Sequence, residues 1–99
     1  MNVQIHSLKF DADRKLLEFV ENKTSKLSKL NENLMSAEVF LRLDKSETSD
    51  NKVVEIKLEM PRTSLFAKKQ SKTFEEATDL AVDALKKQVN KQKGKLRGV

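Results

Sequence analysis

The spacing of apolar residues changes along this chain, and the changes limit the folds that it can adopt. Residues 1–8 alternate between apolar and polar, as in a strand with one buried face. Residues 14–31 repeat apolar positions at helical spacing, which predicts an amphipathic helix with Asp13 as its N-cap. The alternation returns in residues 36–45 and 51–60 and predicts two long strands.

A loop, a turn and a further strand complete the predicted sheet. The polar segment 44–51 predicts the loop between the two long strands. Pro61, the only proline, predicts a tight turn after the second of them. Residues 63–70 then predict a shorter fourth strand in which Leu65 and Ala67 face the core.

The last predicted element is a second helix. Thr73 and Glu76 have the spacing of a capping box, which begins many helices, and Gly94 predicts that this helix ends near Gln92. Its predicted core face consists of Phe74, Ala77, Ala81, Ala84, Leu85, Gln88 and Val89.

These elements predict an α+β fold of order β-α-β-β-β-α. A right-handed crossover places the first helix over one face of a four-stranded sheet, and we expect the closing helix to cover the same face. The other face is exposed, with Phe40 and Phe66 pointing outward. A chain of 99 residues has the length of one domain, so we expect residues 1–99 to form a single unit.

Composition speaks against catalysis. The chain has no cysteine and one histidine, His6, so thiolate and imidazole chemistry lack their residues. Residues 44–55 place acids at the first and last positions of a calcium-binding loop, but Ser49 stands where that loop requires glycine. We therefore expect no enzyme activity, no cofactor, no metal and no small-molecule substrate.

The chain also lacks the signs of a membrane or secreted protein. No segment approaches the roughly 18 consecutive apolar residues of a membrane span. Met1 leads into a polar alternation instead of the apolar stretch of a signal peptide. We expect a cytoplasmic protein with no membrane partner.

Positive charge is concentrated in the last part of the chain. Residues 84–99 contain six Lys and Arg and no acidic residue, whereas residues 1–83 contain 14 against 15. About two or three bases would complement the dipole of the second helix, so the excess favours a polyanionic ligand. The candidate binding residues here are Lys86, Lys87, Lys91, Lys93 and Lys95.

Two more groups of lysines are candidates for the same ligand. Lys26 and Lys29 follow one edge of the apolar stripe of the first helix, with Lys23 nearer the middle of the stripe, and Lys68 and Lys69 lie near the end of the last strand. Because both helices cover one face of the sheet, we expect their lysines to form one basic surface. Lysine neutralises phosphate without reading bases, and the chain has no Trp or Tyr for base stacking, which favours structured RNA.

Three segments resemble the ribosome hibernation promoting factor family, which includes the ribosome-associated inhibitor proteins. The most specific is FEEATDLAVDALKKQVNKQKGKL, which is similar to the closing helix of that family. LLEFVENKTSKLSKL and SAEVFLRLDK resemble its first helix and second strand. The basic pattern that ends the closing helix is matched here by Lys87, Gln88, Lys91 and Lys93.

This resemblance implies a fold, a partner and a function. The fold is akin to double-stranded RNA-binding modules, and the partner is the small ribosomal subunit with its rRNA. Family members lie in the channel for messenger and transfer RNA and inhibit translation during stress or stationary phase. The chain resembles the short form of the family, so we expect a monomer whose basic surface contacts rRNA.

The residues alone leave two other functions open. A general double-stranded RNA-binding module would need the same lysine-rich surface. A membrane-surface protein could use the basic helix, but the apolar face of that helix is taken up by the sheet and is not left for lipid.

Overall fold

The computed structural model describes residues 1–45 and 49–97, with side chains described as far as Lys91. The chain begins with β1 (Asn2–Leu8), α1 (Arg14–Ser25) and a 3-10 helix (Lys26–Lys29). β2 (Ser36–Leu43), β3 (Lys52–Met60), β4 (Thr63–Ser71) and α2 (Phe74–Arg97) follow. The predicted order β-α-β-β-β-α is confirmed.

The strands form one mixed sheet in the order β1-β2-β3-β4. β1 is parallel to β2, and α1 supplies the crossover that a parallel pair requires. β3 is antiparallel to both of its neighbours. Because Met60 pairs with Thr63, only Pro61 and Arg62 connect β3 to β4, which confirms the tight turn predicted there.

The core lies between the sheet and the two helices. In β3, Ile56 and Leu58 have no exposed surface, and in α2 the same is true of Leu85 and Val89. Full burial of such a side chain contributes about 1.5–3 kcal/mol relative to leaving it in water. Both helices therefore stabilise the fold by covering one face of the sheet, as predicted. Further residues with no exposed surface include Val20, Leu27, Val39, Leu41, Ala77 and Ala81.

Both helices begin where their caps were predicted. The Asp13 carboxylate accepts a hydrogen bond from the Leu16 amide at 2.8 Å. The Thr73 hydroxyl accepts one from the Glu76 amide at 3.0 Å. Each side chain satisfies a backbone donor that the first turn of a helix cannot pair internally.

The first helical segment ends earlier than predicted. The expected helix over residues 14–31 is α-helical only to Ser25 and then tightens into the 3-10 helix. Two serine hydroxyls explain the change: Ser25 donates to the Asn22 carbonyl at 3.1 Å and Ser28 donates to the Ser25 carbonyl at 2.8 Å. Such side chains compete with the regular backbone ladder and favour a tighter last turn.

The second helix extends further than predicted. It was expected to end near Gln92, but it runs through Gly94 to Arg97. One glycine in a helix interior costs about 1 kcal/mol, which is too little to end a helix whose neighbouring residues are lysine and glutamine. Thr78 and Val82 are buried as well, so the core face of α2 is wider than predicted.

No helix within the described ranges combines the length and apolar character needed to cross a membrane.

Candidate nucleic-acid interface

Both helices run along the sheet in the same direction. α1 connects the end of β1 to the start of β2, and because these strands are parallel it must return along the sheet. α2 returns along β4, since the Gln88 side-chain amide donates to the Phe66 carbonyl at 2.9 Å. The C-terminal ends of both helical segments therefore lie at the end of the molecule that carries the β3–β4 turn. We call the cations located there the basic end: Lys26, Lys29, Arg62, Lys86, Lys87 and Lys91.

The 3-10 helix brings two of the predicted lysines onto one side. Lys26 and Lys29 are three residues apart, which is one turn of a 3-10 helix, and both are exposed. The 3-10 helix packs against α2. The two lysines therefore lie beside the helix that carries the largest basic group.

α2 contributes three described lysines and reaches the level of the β3–β4 turn. Lys86, Lys87 and Lys91 are exposed, whereas the side chains of Lys93 and Lys95, which were also predicted to bind, lie outside the described residues. From Gln88 to the end of α2 the helix rises about 13 Å. This is close to the distance of about 13 Å that β4 and the turn cover between Phe66 and Arg62.

Lys23 lies in a different environment from the other predicted lysines. Its Nζ is 3.2 Å from Oδ1 of Asp79 and 5.6 Å from the centre of the Phe19 ring. The ion pair connects α1 to α2, and it partly neutralises the charge that was predicted to meet phosphate. This geometry favours a structural role for Lys23.

Lys68 and Lys69 are exposed, but they do not join the basic end. Both lie in the half of β4 that leads to Ser71, towards the opposite end of the sheet. Lys68 is paired in register with Glu55 of β3, so by strand alternation it stands on the face that the helices leave open. Lys69, the next residue, alternates to the side that the helices cover, so the two lysines lie on opposite faces of the sheet and both are separate from the basic end.

Arg62 is a member of the basic end that the sequence analysis did not select. It is exposed and has a φ of 69°, in the left-handed region that glycine and asparagine adopt at lower cost. Its position at the basic end depends on the pairing of β3 with β4 and on the packing of α2 along β4, which the spacing within single elements does not specify. The sequence feature that could have identified Arg62 is a cation within a predicted two-residue turn.

The open face of the sheet is balanced in charge. Arg42 pairs with Glu55 at 3.0 Å and Lys57 with Glu59 at 3.2 Å, and Nε2 of His6 is within hydrogen-bond distance of Oε2 of Glu38, at 3.0 Å. Carboxylates repel phosphate, so this face is a poorer surface for RNA than the basic end.

The aromatic residues of the open face point outward as predicted. Phe66 is 51% exposed, and Phe40 stacks on the His6 ring with 5.0 Å between ring centres. No group of three or more His, Cys, Asp or Glu within the described residues is placed to hold a metal ion.

The model of the family described as "Sigma 54 modulation protein / S30EA ribosomal protein" matches residues 3–97. The chain belongs to this family. Its members are ribosome-associated hibernation and modulation factors, and membership supports ribosome binding by this chain. No curated protein sequence matches the chain significantly.

Two solved structures share the fold. A ribosomal subunit interface protein from Coxiella burnetii superposes with a TM-score of 0.84 at 20% identity, covering 95% of this chain and 99% of that chain. The N-terminal domain of Thermus thermophilus Protein Y superposes with a TM-score of 0.78 at 23% identity, covering 92% of this chain and 98% of that chain. The predicted α+β architecture is confirmed by this likeness.

Proposed function

We propose that this protein is a ribosome hibernation factor that binds the small ribosomal subunit through the basic end. It lies in the channel for messenger and transfer RNA and inhibits translation under stress or in stationary phase. Inhibition is steric and needs no catalysis or cofactor. The protein acts in the cytoplasm as a monomer, and residues 1–99 form one ribosome-binding domain.

The observation that carries this proposal is the meeting of lysines from distant parts of the chain. Lys26 and Lys29 lie on the 3-10 helix beside α2, whose exposed side carries Lys87 and Lys91. Membership of a ribosome-associated family makes ribosomal RNA the polyanion that such a surface would meet. The resemblance to hibernation factors supports the messenger and transfer RNA channel as the place of binding.

The composition of the surface favours recognition of RNA shape. Five of the six cations of the basic end are lysines, which neutralise phosphate as mobile point charges and read bases poorly. The side chain of the exposed aromatic Phe66 lies on the open face, the side of the sheet opposite the helices that carry these lysines. Binding should therefore depend on phosphate positions in folded RNA more than on base identity.

Sedimentation with purified small subunits tests the proposal. The protein should sediment with the subunit and be displaced by messenger RNA together with initiator transfer RNA. If all six cations of the basic end contact phosphate, log affinity should fall with log salt with a slope of about −4 to −5. Binding that is insensitive to salt, or that survives both RNAs, would contradict the proposed site.

A competition experiment separates this function from a general double-stranded RNA-binding module. A hibernation factor should remain on small subunits in the presence of excess duplex RNA. A general module should be displaced by the duplex in proportion to its concentration. Addition of the protein to a cell-free translation reaction then shows whether binding inhibits synthesis.

A further inference from the structure

A notch opens at the end of the sheet opposite the basic end. The last paired residues of β1 and β2 are Leu8 and Arg42, but β2 continues to Leu43. β1 instead turns away at Lys9, which has a φ of 64°. The cavity left between the two segments has a volume of about 360 Å³. It is lined by Leu8, Lys9, Arg42, Leu43, Asp44 and Lys45.

Two leucines form the apolar part of the notch. Leu8 is 42% exposed and Leu43 is 48% exposed, although both side chains line the same cavity. A ligand with an apolar group would remove water from both. The cavity is at the small end of the range for ligand sites, about 300–1,000 Å³, so it has room for one or two amino-acid residues.

The charged residues of the notch are not equivalent. Arg42 is engaged by Glu55, with Nε 3.0 Å from Oε2. The Asp44 carboxylate accepts from the Lys45 amide at 3.0 Å and from the Gln70 side-chain amide at 3.2 Å. In the part of the chain that the structure describes, no carboxylate is within ion-pair distance of the Lys9 or Lys45 ammonium group. The notch therefore offers two ammonium groups next to apolar walls.

We propose that this notch binds the C-terminal end of a polypeptide whose last side chain is apolar. Its carboxylate would lie between Lys9 and Lys45, and its terminal side chain would pack between Leu8 and Leu43. A phosphate group of RNA fits less well, because it has no apolar group to cover the leucines and would leave both exposed to water. Since the notch and the basic end are at opposite ends of the sheet, a peptide partner and RNA can be bound at the same time.

Titration of the isotope-labelled full chain by NMR tests the site with a defined probe. N-acetyl-leucyl-leucine with a free carboxylate should shift the amides of Leu8, Lys9 and Leu43, with saturation in the low millimolar range. The C-terminal amide of the same dipeptide should bind at least about fivefold more weakly. Equal binding of acid and amide, shifts confined to other residues, or no binding would each overturn the proposal.

Variants identify the groups responsible. Lys9→Gln with Lys45→Gln, and separately Leu43→Ser, should each weaken the acid probe at least about fivefold. Lys87→Gln with Lys91→Gln removes the same charge elsewhere and should leave the probe affinity unchanged. If the control pair weakens the probe equally, the attraction comes from net charge alone and the site is wrong.

Ribosome binding distinguishes this proposal from the proposed function. The Lys9 and Lys45 double variant should bind small subunits with the affinity of the parent chain. If its affinity falls as far as that of the Lys87 and Lys91 control, the notch contacts rRNA and the peptide site is overturned. If the parent chain fails to bind ribosomes while the probe still binds the notch, the proposed function fails and the notch stands.

Discussion

The two halves of α2 carry opposite charges on their exposed sides, and the fold uses those charges differently. The first half bears Glu75, Glu76, Asp79 and Asp83, and Asp79 pairs with Lys23 of α1. The exposed lysines of the second half, as far as its side chains are described, take part in no ion pair. The comparison teaches that charge bound within the fold anchors a helix, whereas charge left unpaired is available to a ligand.

The largest effect should come from a substitution on the buried face of α2, which runs through both halves of the helix. Leu85 is fully buried, so Leu85→Asp places an unpaired carboxylate in the core and should cost about 4 kcal/mol or more. We expect loss of the cooperative thermal transition by circular dichroism. Lys86→Asp introduces the same group at the next, exposed residue and should keep that transition. A Leu85→Asp protein that melts like the parent chain would show that the helix does not depend on this contact.

The next effect should separate ligand binding from stability. Lys87→Glu with Lys91→Glu, and independently Lys26→Glu with Lys29→Glu, should each weaken small-subunit binding by at least about tenfold at physiological salt. The free energy of unfolding should change by no more than about 0.5 kcal/mol, because these side chains are exposed. Sedimentation measures the affinity, and urea denaturation measures the free energy of unfolding.

Lys68→Glu with Lys69→Glu is the matched control for these reversals. It changes the charge equally but lies outside the basic end, so affinity should fall much less. An unchanged affinity in the Lys26 and Lys29 variant would mean that the two segments do not share a ligand.

A smaller effect should sharpen the role of the first half as an anchor. Thr73→Ala removes the hydroxyl that accepts from the Glu76 amide and should cost about 1 kcal/mol of stability. Ribosome affinity should stay the same under conditions in which the domain is folded. Thr73→Ser keeps the hydroxyl and should retain most of the stability in urea denaturation, and an equal loss in both variants would assign the effect to packing instead.

The smallest effect should come from the ion pair between the helices. The Lys23 and Asp79 side chains are 38% and 51% exposed, so solvent screens their attraction. A double-mutant cycle with Lys23→Gln and Asp79→Asn should give a coupling energy below about 1 kcal/mol. Asp79→Asn alone should raise ribosome affinity slightly, because it frees the Lys23 charge. A fall in affinity with unchanged stability would show that Asp79 contacts the partner directly.

The fold was largely predictable because a helix or strand that buries one face repeats its apolar residues at a fixed spacing. Alternation placed Val39 and Ile56 inward, and helical spacing did the same for Leu85. The ends of the helices were not predictable from that spacing. The end of the first helix depends on whether the Ser28 hydroxyl or a backbone amide bonds to a backbone carbonyl. The end of the second depends on the small free-energy cost of placing Gly94 in a helix.

The sequence selected some residues of the basic end but not their arrangement. Composition and helical spacing selected Lys26 and Lys87, which the fold places at the same end of the sheet. Spacing could not show that Lys23 meets Asp79, since that contact requires α1 and α2 to be side by side. Arg62 is brought to the basic end by the pairing of β3 with β4, so the residue pattern within one helix or strand does not identify it.

The parallel pairing of β1 has a consequence for the order of folding. Asn2 pairs with Ser36 and Leu8 with Arg42, each 34 residues later with α1 in between, whereas within the described residues no helix separates β2 from β3 or β3 from β4. Distant pairing closes a long loop and is slower than hairpin formation. During synthesis at about 5–20 residues per second, Leu8 is made about 2 to 7 s before its partner. The first strand to leave the translating ribosome therefore waits without a sheet to join.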